Sequence, residues 1–301
     1  MIFKKIGNTN IKVSALSLGT WSLGGETKGR TSYGKISRKD SSNIISKAYD
    51  LGVNFYDTSP TYGFSQNLLG SCLKKKRDKV VFSSKVGLNS YTQKKNFSKK
   101  FITKQIHKIL FDLKTDYIDF IKFYCPDPND KNLVDGYEAL TKLRKKGLIR
   151  HIGVSLNSPN DLLSFNKNLK FEIIQCNFNL LDLRILNKKI IKHIKKENIG
   201  IVARTIYCFG VFTENFLNQK NLGSFKFKNK NDHRNRWNND QFNLWIKGAK
   251  SIKKKINNDL RIEDIATRFP NSFDFVSSSL IGVQSKKELT NNLNQKNFDK
   301  L

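Results

Sequence analysis

The chain has 301 residues, 38% hydrophobic and 11% aromatic, enough apolar material for a sizeable core. No run approaches the ~20 apolar residues needed to cross a bilayer, and the short apolar start passes directly into strand-like sequence, so a soluble cytoplasmic protein is expected. A formal charge of +30 raises nucleic acid as a partner, but the basic clusters at 74–77, 144–146, 188–189 with 195–196, and 253–255 fall at the ends of separate helical patterns, where cations suit the helix dipole; no specific nucleic-acid partner is expected.

A hairpin candidate opens the chain, Phe3 to Val13, turning at Gly7-Asn8-Thr9-Asn10. Strand candidate Ala15–Leu18 follows, then helix Ser41–Leu51, strand Val53–Tyr56, helix Gln66–Lys75 and strand Val80–Ser84. Helix Lys100–Leu113, strand Tyr117–Phe123, helix Val134–Lys146 and strand His151–Val154 continue the alternation. The last part reads as helix Asp161–Asn166, strand Phe171–Cys176, helix Arg184–Lys196, strands Gly200–Ala203 and Ser278–Ile281, and a closing helix Lys286–Leu293. A long irregular stretch, Glu214 to Asp240, follows the seventh strand. Loops of that length inside a compact unit are commonly functional.

Eight strand-then-helix units in one series predict an α/β fold, a single (β/α)8 barrel of TIM type with an N-terminal β-hairpin cap; a doubly wound open sheet is the rival. An open dinucleotide-binding sheet would place GxGxxG after its first strand, and Leu18-Gly19-Thr20-Trp21-Ser22-Leu23-Gly24-Gly25 stands there instead. Without a Gly/Pro/Ser-rich break, residues 1–301 are expected to form one barrel domain, with 214–240 as a long cofactor or substrate loop. Cys72, Cys125, Cys176 and Cys208 form no CxxC pair, and His107, His151, His193 and His233 have no metal-ligand spacing, so no metal is expected.

In a parallel barrel, residues just past successive strands converge on one mouth. Asp57 and Tyr62 follow the second candidate strand, Lys85 ends the third and Tyr124 the fourth. Their chemistry suits proton transfer to a carbonyl: Tyr62 as donor, an ammonium from Lys85 stabilising the phenolate, and Asp57 fixing that ammonium. Hydride must come from elsewhere, which implies a nicotinamide cofactor if the reaction is a reduction. Trp21, just past the first strand, is a candidate wall of the substrate pocket.

The sequence resembles the aldo-keto reductase family over nearly its whole length, in a form nearest its bacterial branch. The likeness lies in Phe3-Lys4-Lys5-Ile6-Gly7-Asn8-Thr9, in Asp57-Thr58-Ser59-Pro60-Thr61-Tyr62-Gly63, in Leu148-Ile149-Arg150-His151-Ile152-Gly153-Val154-Ser155, and in Asp232-His233-Arg234-Asn235-Arg236-Trp237. The resemblance implies NAD(P)H-dependent reduction of an aldehyde or ketone, or the reverse oxidation of an alcohol. It implies Asp57, Tyr62 and Lys85 as catalytic residues, with Tyr124 where the family usually has histidine.

For the cofactor it implies Ser155 and Gln175 at the carboxamide, Arg204, Thr205, Gly210 and Thr213 at nicotinamide and pyrophosphate, and Gly282, Ser285, Lys286, Glu288 and Asn292 at the adenosine phosphate. Ser285 and Lys286 favour NADP(H), whereas Glu288 opposes a 2′-phosphate and keeps NAD(H) open. Leu156 stands where an asparagine is common. Tyr124 and Leu156 support an alternative reading, a cofactor-binding barrel of low or no activity that acts as a sensor or partner-binding module. Neither substrate identity nor oligomeric state is legible.

Overall fold

A computed structural model describes residues 1–29, 33–219, 230–256 and 260–294. Ten of the 27 residues between 214 and 240, numbers 220–229, therefore lie outside the described residues. A two-stranded antiparallel hairpin, β1 (Phe3–Lys5) and β2 (Lys12–Ser14), precedes a closed parallel barrel of eight strands. These are β3 (Leu16–Gly19), β4 (Phe55–Asp57), β5 (Val81–Val86), β6 (Ile118–Tyr124), β7 (Ile149–Ser155), β8 (Ile173–Asn177), β9 (Gly200–Arg204) and β10 (Val276–Ile281). β10 pairs with β3 at Ser279 and Leu16, so the sheet closes on itself and the open-sheet rival is excluded.

The helices around it are α1 (Arg38–Asp50), α2 (Ser65–Leu73), α3 (Lys99–Leu113), α4 (Leu133–Lys145), α5 (Lys188–Glu197), α6 (Glu214–Leu217), α7 (Asn239–Lys253), α8 (Ile262–Asn271) and α9 (Lys286–Asn292). Each turns an apolar stripe inward; in α3 the buried Ile102, Ile106, Ile109 and Leu113 recur every three or four residues. Two segments differ from expectation. The candidate helix Asp161–Asn166 is a 3-10 turn, Pro159–Ser164, with Pro159 at its start and a Ser158/Asp161 capping box. The stretch read as one long loop holds α6, a 3-10 turn at His233–Arg236 and the start of α7.

The lower barrel is sealed by Phe55, Val81, Phe120, Ile173, Val202 and Leu280, capped from below by Ile6 and Val13 of the hairpin. Gly7 sits so close to β9 that an added Cβ would lie 2.4 Å from the Gly200 nitrogen, and its φ is +45°, which glycine alone takes without strain. Arg77, grouped with solvated helix-end lysines by its sequence neighbours, instead turns inward. It meets the buried Asp119 at 2.7 Å, and Asp119 also accepts the Phe82 N–H and an Arg150 N–H, tying β5, β6 and β7 together. Among the described residues no helix is long and apolar enough to cross a membrane.

Candidate active site

Side chains two residues apart on a strand point the same way, so the layer above the apolar seal is dictated by the layer below. Asp57 stands two residues beyond Phe55, Lys122 two beyond Phe120, and Gln175 two beyond Ile173. All three are buried, with Lys85 of β5 beside them. The Lys85 ammonium donates to Asp57 Oδ1 at 2.5 Å and to the Thr58 carbonyl at 3.0 Å, while the Lys122 ammonium donates to Asp57 Oδ2. Asp57 thus bridges two lysines. Lys122 escaped the sequence reading: a charge in Ile118-Asp119-Phe120-Ile121-Lys122 looks solvent-facing unless Phe120 is known to point into the barrel.

Tyr62 sits on the turn after β4, where its N–H donates to the Ser59 carbonyl at 3.0 Å. The turn is pressed against the segment after β3: a Cβ on Gly24 would lie 1.8 Å from the Tyr62 carbonyl oxygen, and Phe64 donates its N–H to Gly24 at 3.0 Å. The Lys85 ammonium lies 4.8 Å from the centre of the Tyr62 ring. Trp21 stacks on Tyr62 with centroids 6.1 Å apart and is covered by His233 at 4.4 Å. Tyr124 closes β6, and its hydroxyl donates to Tyr91 Oη at 3.4 Å. Tyr91, Tyr33 and Lys122 are the neighbours that sequence reasoning missed; Tyr33 and Tyr91 lie on connecting segments that carry no periodic signal.

A cavity of about 900 Å³ opens at this end of the barrel. Asp57, Tyr62, Tyr124 and Trp21 line one part, Gln175, Arg204, Thr205, Gly210 and Thr213 another, and Gly282, Glu288 and Asn292 the far end. Lys85 lies beneath this wall rather than in it; Ser155, Ser285 and Lys286 are likewise outside the lining. Ser155 is buried at the end of β7, with its hydroxyl 3.9 Å from Cys125 Sγ. Ser285 caps α9, accepting the Glu288 N–H at 3.1 Å, and the Glu288 carboxylate accepts the Gln284 N–H at 2.8 Å. Leu156 contributes its carbonyl, which accepts from Arg204 Nη2 at 2.8 Å.

Burial alone would raise the Asp57 carboxyl, but Lys122 and Lys85 hold it below the ordinary carboxylate range. Burial drives the Lys85 ammonium down to about 7 against the pull of Asp57, and the charge of Lys122 pushes the same way as burial. Burial and the neighbouring phenols of Tyr124 and Tyr91 hold Tyr62 well above an ordinary phenol. The Lys85 ammonium directs its hydrogen bonds to Asp57 and Thr58 rather than to the phenol. A phenol held that high stays protonated at neutral pH.

Two buried polar atoms fit a nicotinamide group. Gln175 Oε1 and Arg204 Nε are both buried without a hydrogen-bond partner among the described residues, and both residues line the cavity. A carboxamide N–H matches the first, and a carbonyl or phosphate oxygen matches the second. No group of three or more His, Cys, Asp or Glu among the described residues is arranged to hold a metal ion.

Residues 15–301 match the model of the Aldo/keto reductase family. The chain is 30% identical over 219 residues to Aldo-keto reductase YhdN of Bacillus subtilis, a stretch that is 71% of this chain and 64%, just under two thirds, of that protein. It is 27% identical over 226 residues to L-galactose dehydrogenase of Arabidopsis thaliana, covering 70% of this chain and 67% of that one. Among solved structures, the holo form of an aldo-keto reductase from Bacillus halodurans shares the fold with a TM-score of 0.80 at 21% identity, over 100% of this chain and 92% of that one. The glycerol dehydrogenase of Gluconobacter oxydans does so with a TM-score of 0.78 at 23% identity, over 99% and 91%.

Proposed function

The chain belongs to the aldo/keto reductase family, and from that premise we propose that it reduces an aldehyde or ketone with a nicotinamide cofactor, with Tyr62 as the proton donor. The cofactor, when bound, supplies the hydride that no side chain can provide. Gln175 Oε1 accepts from the carboxamide, Arg204 donates from Nε, and Thr205, Gly210 and Thr213 line the path towards the far end. Tyr62 keeps its proton at neutral pH and gives it to the substrate oxygen. Tyr124 stands where an imidazole is usual; its hydroxyl donates to Tyr91 Oη in the free protein and turns that one proton to the substrate oxygen by giving up the long bond. Trp21 walls the reaction space, with the buried His233 packed against its ring.

At the adenosine end, Ser285 is engaged as a helix cap, Lys286 lies outside the cavity lining, and Glu288 presents a carboxylate beside Gln284. The Arg261 guanidinium, also at this end, is closed on Asp264 at 3.0 Å through Nε. That balance favours NAD(H), whereas Ser285 and Lys286 in the sequence favour NADP(H). One observation supports the reductase reading above the rest: Tyr62, Tyr124 and Gln175, whose Oε1 has no partner among the described residues, border the same cavity as Asp57, the buried partner of Lys85.

Cofactor oxidation measured against a panel of aldehydes, ketones and sugar derivatives tests this. Turnover on at least one carbonyl is expected, with loss in Tyr62→Phe. Cofactor binding with no turnover on any carbonyl would replace the proposal with the sensor or partner-binding reading that Tyr124 favours.

A further inference from the structure

The strand register places a second lysine beside the first. β5 and β6 pair with Lys85 opposite Lys122, and Lys122 is completely buried, two residues above the apolar layer that holds Phe120. The ion pairs of both lysines run to Asp57, one to each carboxylate oxygen. The charged and titratable groups around this centre are Asp57 from β4, Tyr62 from the turn after it, Lys85 from β5, Tyr124 from the end of β6 and Arg204 from β9. One carboxylate therefore answers two ammoniums, with a guanidinium adding to the excess. Surplus positive charge in a dry interior is costly, and loss of a proton from a lysine relieves it.

We propose that Lys122 is a positioning residue: the positive charge it holds against one oxygen of Asp57 weakens that carboxylate's grip on the Lys85 proton beneath Tyr62. The proposal rests on the reading of Tyr62 and Lys85 as the proton-handling pair. Burial brings Lys85 down to about 7, and Lys122 adds to that lowering. With Lys122 removed, Asp57 faces Lys85 alone, the ammonium is favoured, and the midpoint of Lys85 moves up. Any limb of the pH profile that reports loss of the Lys85 proton moves to higher pH with it. A Lys122→Met chain keeps a neutral buried pair of Asp57 and Lys85 in place of a charged triad, so its fold is expected to hold.

The test reads titration, not turnover. Carbon-13 labelled lysine side chains are followed by NMR across pH in cofactor-free wild type, Lys122→Met and Lys122→Arg, with the Lys85 signal assigned by its absence from Lys85→Arg. The Lys85 midpoint is expected to rise by ~1 pH unit or more in Lys122→Met, the size of effect that a charge sharing the same partner exerts. Lys122→Arg keeps the charge and should stay near wild type. If Lys122→Met melts early, Lys122→Gln, which keeps a donor to Asp57 without the charge, carries the same expectation. An unmoved midpoint in the uncharged variants, or an equal rise in Lys122→Arg, overturns the proposal. No substrate is present, so a chain that reduces no carbonyl would still give this result, and failure of the reductase reading is told apart from failure of this one.

Discussion

Gln175→Met separates a cofactor-binding glutamine from one that merely fills the barrel. The side chain is 1% exposed and its Oε1 has no partner among the described residues, so the free protein bears the desolvation of an unsatisfied acceptor, ~1–3 kcal/mol. Methionine has a similar length and no such oxygen. Relief of roughly 1 kcal/mol corresponds to a melting temperature higher by about 2 °C in a chain of this size. Binding should move the other way. The bound carboxamide loses an acceptor and keeps an unpaired N–H, a penalty of ~1–2 kcal/mol, which weakens the cofactor Kd by roughly 5- to 30-fold. Differential scanning fluorimetry reads the first quantity. Quenching of tryptophan fluorescence on cofactor titration reads the second, since Trp21 lines the cavity. A melting point at or above wild type with a weakened Kd is the expected pair of results; an unchanged Kd would refute the assignment of Gln175 to the carboxamide.

Three further outcomes are expected. Tyr124→His, which restores the shorter donor, should raise turnover on simple aldehydes by roughly tenfold, while Tyr124→Phe should lower activity on the native substrate; steady-state rates with no gain and no loss would leave Tyr124 as pocket wall. Glu288→Arg replaces an anion at the adenosine end with a cation, so the ratio of Kd values should shift towards NADP(H) by about tenfold; an unaltered ratio means that Glu288 does not face the 2′-phosphate. Gly24→Ala puts a methyl 1.8 Å from the Tyr62 carbonyl, so the turn bearing the phenol must move, and kcat should fall by ~100-fold with cofactor affinity retained. Full kcat in a folded Gly24→Ala protein would show that the position of Tyr62 tolerates that shift.

The barrel was legible because its signals are local: each run of β-branched and aromatic residues became a strand, within a few residues of its expected ends. β5, for instance, runs on to Val86 where Ser84 was the expected limit, because Lys85 and Val86 stay paired with β6. α7 and α8 were not legible. α7 begins at Asn239 inside a stretch whose Asn, Lys and Arg content reads as loop, and only its packed face, Phe242, Ile246 and Ala249, fits a helix. Asp57, Tyr62 and Tyr124 were legible as strand-end residues. Lys122 was not, because a barrel strand is buried on both faces and alternation alone does not say which one looks onto the central charges. Tyr91 was missed because the direction of its side chain is set by a loop, where spacing has no period to follow. Lys85 was read beside Tyr62 and Asp57; its further hydrogen bond, to the Thr58 carbonyl, depends on three-dimensional placement and leaves no mark in the sequence.

The most direct measurement is a single turnover with cofactor deuterated at the nicotinamide C4, mixed with a carbonyl that the wild-type chain accepts, in wild type and in Tyr62→Phe. Wild type should give an alcohol with one deuterium on the former carbonyl carbon. Tyr62→Phe should bind cofactor with unchanged Kd yet react at least ~100-fold more slowly, the scale of a lost general acid. Equal single-turnover rates in the two proteins, or an alcohol without deuterium, would contradict the assignment of this site to carbonyl reduction with Tyr62 as its acid.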